Sequence, residues 1–410
     1  MPHALQKHYR AIIVIGCFLV LFANQGLPAT AFNVYQTYLV ELPGVGAVGG
    51  SLVMTVRAFV SLAVMLLVTA FYRRIDARYG VLLATLCTAA GFAIYGLRET
   101  LPGLCLGSVF TGIGYGLGGM VATTIILGRW FHGSLGVAAG FIGMGSGVAS
   151  FVIPTAAAEI IEAFSLSTAF LCEAALALVL ALLFALFLRS DPKQVGLAPY
   201  EPAAPASPKA AKRQRKPAAE DLVGRDKHLM MLAMVLMGGV AITGFGYFSV
   251  LLTSSGVNPL AAAVITSLGG ACLAVGKLVC GWTFDRWGTR TGTVLFFIVL
   301  TAGLVLCTTV GFGGATEGFF AAVAYCTGIS VATTGMAVWS LELSSPARTL
   351  ATVRDFNLAY AAGGFLFNML PGVLMQLTGS YAPTYGLFAV FSLVSAVIVV
   401  HVYTRRLATA

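Results

Sequence analysis

Twelve separate runs of apolar residues, at about 11–40, 46–71, 81–97, 101–127, 135–163, 166–188, 228–254, 259–284, 291–313, 317–342, 352–377 and 383–404, dominate this chain. A hydrocarbon layer of ~30 Å is crossed by ~20 helical residues, so each run is close to a membrane span in length. Inside lipid every backbone N–H and C=O needs a partner within the protein, which predicts that every run is helical. The expected fold class is therefore all-α integral membrane, with twelve transmembrane helices. The proline interruptions Pro28, Pro154 and Pro371 are expected where neighbouring helices or a cavity satisfy the freed backbone groups. With 58% hydrophobic and only 10% charged residues among 410, one or two soluble domains are excluded, because these carry about a quarter charged residues. The first run continues past Tyr35 without a small-residue exit, too long for a cleaved leader, and is expected to stay as the first span.

Orientation follows from the basic residues, since short cytoplasmic loops retain Lys and Arg. Of the 24, 21 fall on one alternating set of segments: Lys7 and Arg10; Arg73, Arg74 and Arg78; Arg129; nine from Arg189 to Lys227; Arg286 and Arg290; Arg348 and Arg354; Arg405 and Arg406. The opposite set keeps only Arg98. Both termini are thus predicted to face the cytoplasm, in a cytoplasmic (inner or plasma) membrane. The expected division is a six-helix bundle at 1–189, a basic cytoplasmic linker at 190–227 and a second six-helix bundle at 228–410. The linker is rich in Pro, Ala and Lys, with the cluster Lys209–Lys216, and carries too little apolar surface to fold alone. That cluster could touch anionic lipid or simply set orientation. The net charge of +9 is spread between apolar runs rather than gathered on a folded face, so nucleic acid is not an expected partner. All eight cysteines lie inside apolar runs with no CxxC pair, reading as small core residues, and no cofactor or metal is expected.

After the eighth run the chain reads Gly281-Trp-Thr-Phe-Asp285-Arg286-Trp-Gly288-Thr-Arg290. The equivalent place in the first half reads Arg73-Arg-Ile-Asp76-Ala-Arg78-Tyr-Gly80, with an extra residue between acid and base. An acid beside bases at a helix end can form charge pairs that hold a gate closed and break when the halves move. A plain positive-inside loop explains the bases but not the repeat. Here the chain resembles the major facilitator superfamily, whose loop signature is G-x-x-x-D-R-x-G-x-R. The resemblance implies two six-helix bundles with inverted repeats, a midplane site, and gating roles for Asp76, Arg78, Gly281, Asp285, Arg286, Gly288 and Arg290. Trp130-Phe131-His132-Gly133-Ser-Leu-Gly136-Val-Ala-Ala-Gly140, leading into Pro154, is similar to the fifth-helix entry of the monocarboxylate and oxalate:formate carrier group. In that group basic residues stand where this chain has Gly133, Ser134 and Leu135.

The fourth run contains Gly112-Ile-Gly114-Tyr-Gly116-Leu-Gly118-Gly119, a formal match to the dinucleotide fingerprint. It lies in mid-span rather than between a strand and a soluble helix, so close helix packing is expected instead. Two cations remain inside runs, and intramembrane charge marks a site by default. Lys277 lies eight residues before Asp285, ~12 Å along a helix, and Arg57 eleven residues into the second run. Lys277 also precedes Gly281 by four, where the carrier group shows an arginine that binds substrate carboxylate. The resemblance thus implies an anion site, with a compact point charge in place of a bidentate fork. A structural pairing with backbone carbonyls is the plain alternative for both, and is as well supported for Arg57. No carboxylate has comparable depth in sequence to neutralise them: Glu173 is seven residues into the sixth run, while Glu342 and Asp355 lie near run ends.

Further candidates to contact substrate are Tyr115, Tyr247, Tyr325, Trp339, Tyr360 and Asn357, with Asn24, Gln25, Asn33, Thr333 and Thr334 as weaker polar positions. The acid that precedes the carrier group's arginine by four corresponds to Leu273, and the histidines sit near run ends. Proton coupling, counter-anion exchange and coupling through Lys277 itself therefore stay open. No P-loop, H-E-x-x-H or nucleophile with its base is present, so a primary pump or a membrane enzyme is not expected. The expected function is secondary active transport of a small organic anion, a monocarboxylate or related carboxylate, by a monomer in lipid. Export of amphipathic, drug-like compounds would call for an acid in the cavity, and a carrier-derived sensor would look the same in sequence.

Overall fold

A computed structural model describes residues 3–131, 135–199, 221–345 and 348–409. Helix α1 (His3–Leu21) widens into a π-helical stretch, Phe22–Thr30, before α2 (Asn33–Leu39). Pro28 lies in that stretch, where its missing N–H and bulky ring would disturb an α-helical turn. There follow α3 (Gly46–Arg74), α4 (Ala77–Leu97), α5 (Leu101–Leu117), α6 (Met120–Trp130), α7 (Leu135–Ala163) and α8 (Leu166–Phe187). After the linker come α9 (Gly224–Gly238), α10 (Phe248–Ser254), α11 (Pro259–Trp287), α12 (Thr289–Glu342), α13 (Thr349–Phe367), α14 (Leu370–Thr378) and α15 (Ala382–Thr409). Pro154 stays inside an unbroken α7, while Pro371 takes the first turn of α14, where its missing donor costs nothing.

Eleven helical stretches among the described residues are long and apolar enough to cross a membrane. Helix α12 counts once among them, although 54 residues would extend ~80 Å if straight. The chain turns at Gly314, whose φ of 61° and ψ of −140° are not helical. The two arms then run alongside: a Cβ on Gly303 would overlap the backbone of Tyr325, and one on Gly328 the backbone of Leu300. With α12 as two crossings, the all-α membrane architecture has the expected twelve. Its surface is the reverse of a soluble protein's, with Leu66, Leu67, Leu182 and Val397 exposed, as lipid-facing side chains should be.

The chain divides into two compact units, Met1–Tyr38 with Leu42–Val45 and Leu52–Pro208, and Leu39–Glu41 with Gly46–Ser51 and Lys209–Ala410. In the first, the glycines of α5 are approach points. Gly112 faces the Arg57 carbonyl and Val60 on α3, Gly116 faces Val64, and Gly114 faces Thr88 and Ala84 on α4. Glycine thus serves helix contact here rather than phosphate binding. Phe32, Tyr35, Phe92, Tyr95 and Phe170 form one buried aromatic cluster in this unit. In the second unit α11 packs along α12, and α9 packs between α13 and α15.

Candidate functional site

Lys277 lies on α11, eight residues before Asp285, and is half-buried. Its preceding residue Gly276 is in contact range of Thr327 and Ser330 on α12, which brings this part of α11 against the tenth crossing. No hydrogen bond or ion pair to Lys277 is found among the described residues. A lysine ammonium carries three donors and needs acceptors when it leaves water. Arg57 is different. It is 5% exposed, donates to the Pro28 carbonyl and to Met54 Sδ at 3.2 Å, and its guanidinium lies 5.1 Å from the Phe32 ring centre. The carbonyl it meets belongs to the π-helical stretch, so the arginine supports the backbone at the interruption in the first span.

Three of the aromatic candidates are fully buried with their polar atoms engaged. Tyr325 donates to the Val240 carbonyl at 2.6 Å, Trp339 Nε1 donates to Thr293 at 3.1 Å, and Tyr247 donates to Ser51 at 2.7 Å. Tyr115 and Tyr360 are half-buried. Asn357 is exposed and donates to its own helix at the Val353 carbonyl, 2.9 Å away. Asn24 is likewise engaged, donating to Thr85 and accepting from Thr88, both at 2.9 Å. Asn33 is fully buried, and neither of its amide atoms has a partner among the described residues.

The two loop motifs differ. Asp76 caps α4 by accepting from the Arg78 amide at 3.0 Å, accepts from the Ser190 hydroxyl, and stands 3.7 Å from Arg129. The Arg78 side chain donates to the Ala185 carbonyl at the end of α8. These bonds tie the ends of α4, α6 and α8 together inside the first unit. Gly80 is required for approach, since a Cβ there would overlap the Tyr72 ring. In the second copy Asp285, Arg286 and Arg290 are exposed, Gly281 is half-buried, and Gly288 has a φ of 86°, a conformation that only glycine adopts without strain. The Lys209–Lys216 cluster, His132, Gly133 and Ser134 lie outside the described residues.

Just before α9, the Ser345 hydroxyl donates to Asp221 at 2.6 Å and the Ser345 amide at 3.1 Å, with Arg348 at 3.5 Å. The hydroxyl foremost, then the amide and the arginine, hold the Asp221 carboxyl below its ordinary value. A depressed carboxyl stabilises the fold above its unfolded-state pKa, and the contribution disappears as pH falls through the folded-state value. Asp221→Asn is therefore expected to lower the melting temperature of the purified protein at neutral pH, with the gap to wild type closing in acid. A gap that stays constant with pH would count against this.

One residue whose depth the chain order understates is Glu173, on α8. It is 5% exposed, its Oε1 accepts from Tyr35 at 2.6 Å, and its Oε2 has no partner among the described residues. The only sequence signal was a carboxylate inside an apolar run; its partner stands 138 positions away.

The family model of the Major Facilitator Superfamily matches residues 13–353. No curated protein matches at the level of sequence. Among solved structures, the chain is similar to a POT family transporter in complex with a thioalcohol-conjugated peptide, at a TM-score of 0.74, 13% identity, and coverage of 97% of this chain and 96% of that one. It is also similar to the nucleoside transporter NupG, at 0.68 and 14%, covering 96% and 99%. A bacterial homolog of the human lysosomal transporter Spinster, inward-facing and unoccupied, follows at 0.67 and 15%, covering 98% of each chain. Identities this low establish the shared fold and do not carry a substrate across. The family match over most of the chain, on a fold of twelve apolar crossings, makes this a multi-pass membrane transporter rather than an enzyme, and the chain belongs to the Major Facilitator Superfamily.

Proposed function

We propose that this transporter is a secondary active carrier of a small organic anion, a monocarboxylate or closely related carboxylate, working by alternating access. The observation that carries the proposal is Lys277, a cation in mid-span, half-buried, with no partner of its own among the described residues. A cation so placed is costly unless an anion meets it, and a substrate carboxylate supplies both charge and acceptors. Arg57 has the carbonyl and ring contacts of a structural cation and takes the supporting role at Pro28. Tyr115, Tyr360 and Asn357 are the polar candidates still accessible to a ligand, whereas Tyr247, Tyr325 and Trp339 hold the second unit together in this conformation. The protein is proposed to act as a monomer, with both termini and the linker on the cytoplasmic side, in agreement with where the basic residues fall.

A thermal-shift screen of small mono- and dicarboxylates against amines and amphipathic drugs, on the purified full-length protein, tests this. One or more carboxylates should raise the melting temperature in a concentration-dependent way, as any ligand favouring the native state does. Stabilisation by amines or drugs alone would refute anion specificity.

A further inference from the structure

Glu173 is enclosed on a helix that also contributes Phe170, one turn away, to the aromatic cluster. Tyr35 stacks on Phe170 with ring centres 4.3 Å apart, and its hydroxyl reaches Glu173 Oε1 at 2.6 Å. That single donor is all the carboxyl receives, for Oε2 has no partner and no cation pairs with Glu173 among the described residues. An ionised carboxylate offers about four acceptor sites. Left with one donor and no countercharge away from water, it would bear a desolvation cost of several kcal/mol. The neutral acid fits the same place with Oε1 still accepting from Tyr35.

The other titratable and charged groups around it are accounted for. Tyr95 on α4 bonds Ser108 at 2.9 Å and Thr111 at 3.1 Å, and Arg57 on α3 is held by the Pro28 carbonyl and the Phe32 ring. Glu159 and Glu162 on α7 and Cys172 on α8 are exposed. On α1, Tyr9 donates to the Phe187 carbonyl at the far end of α8, 2.7 Å away. Among the described residues no cation pairs with Glu173, and the Tyr35 hydroxyl is its one donor.

We propose that Glu173, aligned by Tyr35, is a proton-binding site of the first unit, and that the proton held there is the one co-transported with substrate. In the enclosed state the carboxyl is neutral. When the transport cycle admits water to α8, the O–H bond breaks, the proton passes to water, and the electron pair stays on the carboxylate. The coupling half of this proposal rests on the anion-carrier reading above; the protonation half does not.

The test has two arms, both on the full-length chain in phosphatidylcholine vesicles. Infrared difference spectra across a pH series should show, at neutral pH, the C=O stretching band of a protonated carboxyl that is lost in Glu173→Gln. Uptake of radiolabelled lactate and oxalate is then compared with and without an outward-directed alkaline gradient, so that the proton runs inward. A gradient of about two pH units supports up to about a hundredfold accumulation of a monoanion carried with one proton. Wild type should respond to the gradient, and Glu173→Gln should give the same uptake with or without it. A band unaffected by Glu173→Gln overturns the proton site, and equal gradient responses in the two proteins overturn the coupling. If wild type moves neither acid, the anion reading loses its support while the infrared band still decides whether Glu173 holds the proton. Tyr35→Phe guards against misfolding in the glutamine variant: it keeps the carboxyl, and so must keep the band.

Discussion

Lys277→Ala is expected to reduce carboxylate uptake by at least about a hundredfold, corresponding to the ~3 kcal/mol lost when one partner of a desolvated charge pair is removed. The variant should still reach the membrane and give the wild-type melting temperature or a slightly higher one, because the deleted ammonium has no hydrogen-bond or ion-pair partner among the described residues to lose. A structural cation behaves oppositely. Removing Arg57 strips donors from the Pro28 carbonyl and Met54 and should cost stability before it costs specificity. Lys277→Arg separates charge from shape: the guanidinium keeps the positive charge but presents a planar fork on a differently hydrated head. Partial uptake with altered preference toward dicarboxylates is the outcome expected of a contact residue. Uptake by vesicles containing Lys277→Ala at the wild-type rate would end its candidacy as the anion ligand.

What could be seen in the chain order and what could not divide along one physical line. The crossings were visible because lipid leaves the backbone no choice: an apolar run of this length must satisfy its own N–H and C=O groups, and only a helix does so. Even the long α12 obeys this, as Gly314 is where its two runs meet. The Gly112–Gly119 string could be assigned to packing because its position in mid-span ruled out a phosphate, and the contacts with α3 and α4 follow from that. Partners distant in sequence were not visible. Arg57 lies 29 positions from the carbonyl it supports, and Glu173 lies 138 from Tyr35. A residue type and a depth declare that a charge needs a partner, without saying which helix supplies it. The same holds for Tyr325 and Trp339, whose donors reach Val240 and Thr293 inside the second unit. Amphipathic aromatics at mid-span look alike whether they line a cavity or bond a neighbour.

The largest effect on folding is expected at Gly363, on α13. A side-chain carbon added there would overlap the carbonyl oxygen of Val235 on α9, and one added at Gly238 on α9 would overlap the carbonyl of Tyr360 on α13. The contact is thus reciprocal, backbone to backbone, with a glycine from each helix opening the way for the other. Membrane helices gain no hydrophobic driving force from meeting each other in lipid, so van der Waals packing at such approaches is a main source of their cohesion. Because the obstructing atoms are backbone rather than the free end of a side chain, neither helix can yield locally and the pair must separate along its length. Thr243 bonds the Gly364 carbonyl and Asn368 from the continuation of α9, so the same displacement would break those bonds. Gly363→Leu is therefore expected to destabilise the second unit by about 3 kcal/mol or more, the upper range for overpacking a close contact. The change should appear as loss of the monodisperse peak on size exclusion or a large fall in melting temperature. Gly311→Ala, exposed and with no atom within 4 Å of the added carbon, is the matched control and should leave stability within about 1 kcal/mol of wild type, the scale of a glycine-to-alanine change in a helix. A Gly363→Leu protein as stable as that control would show that α9 and α13 do not hold this close contact in the membrane.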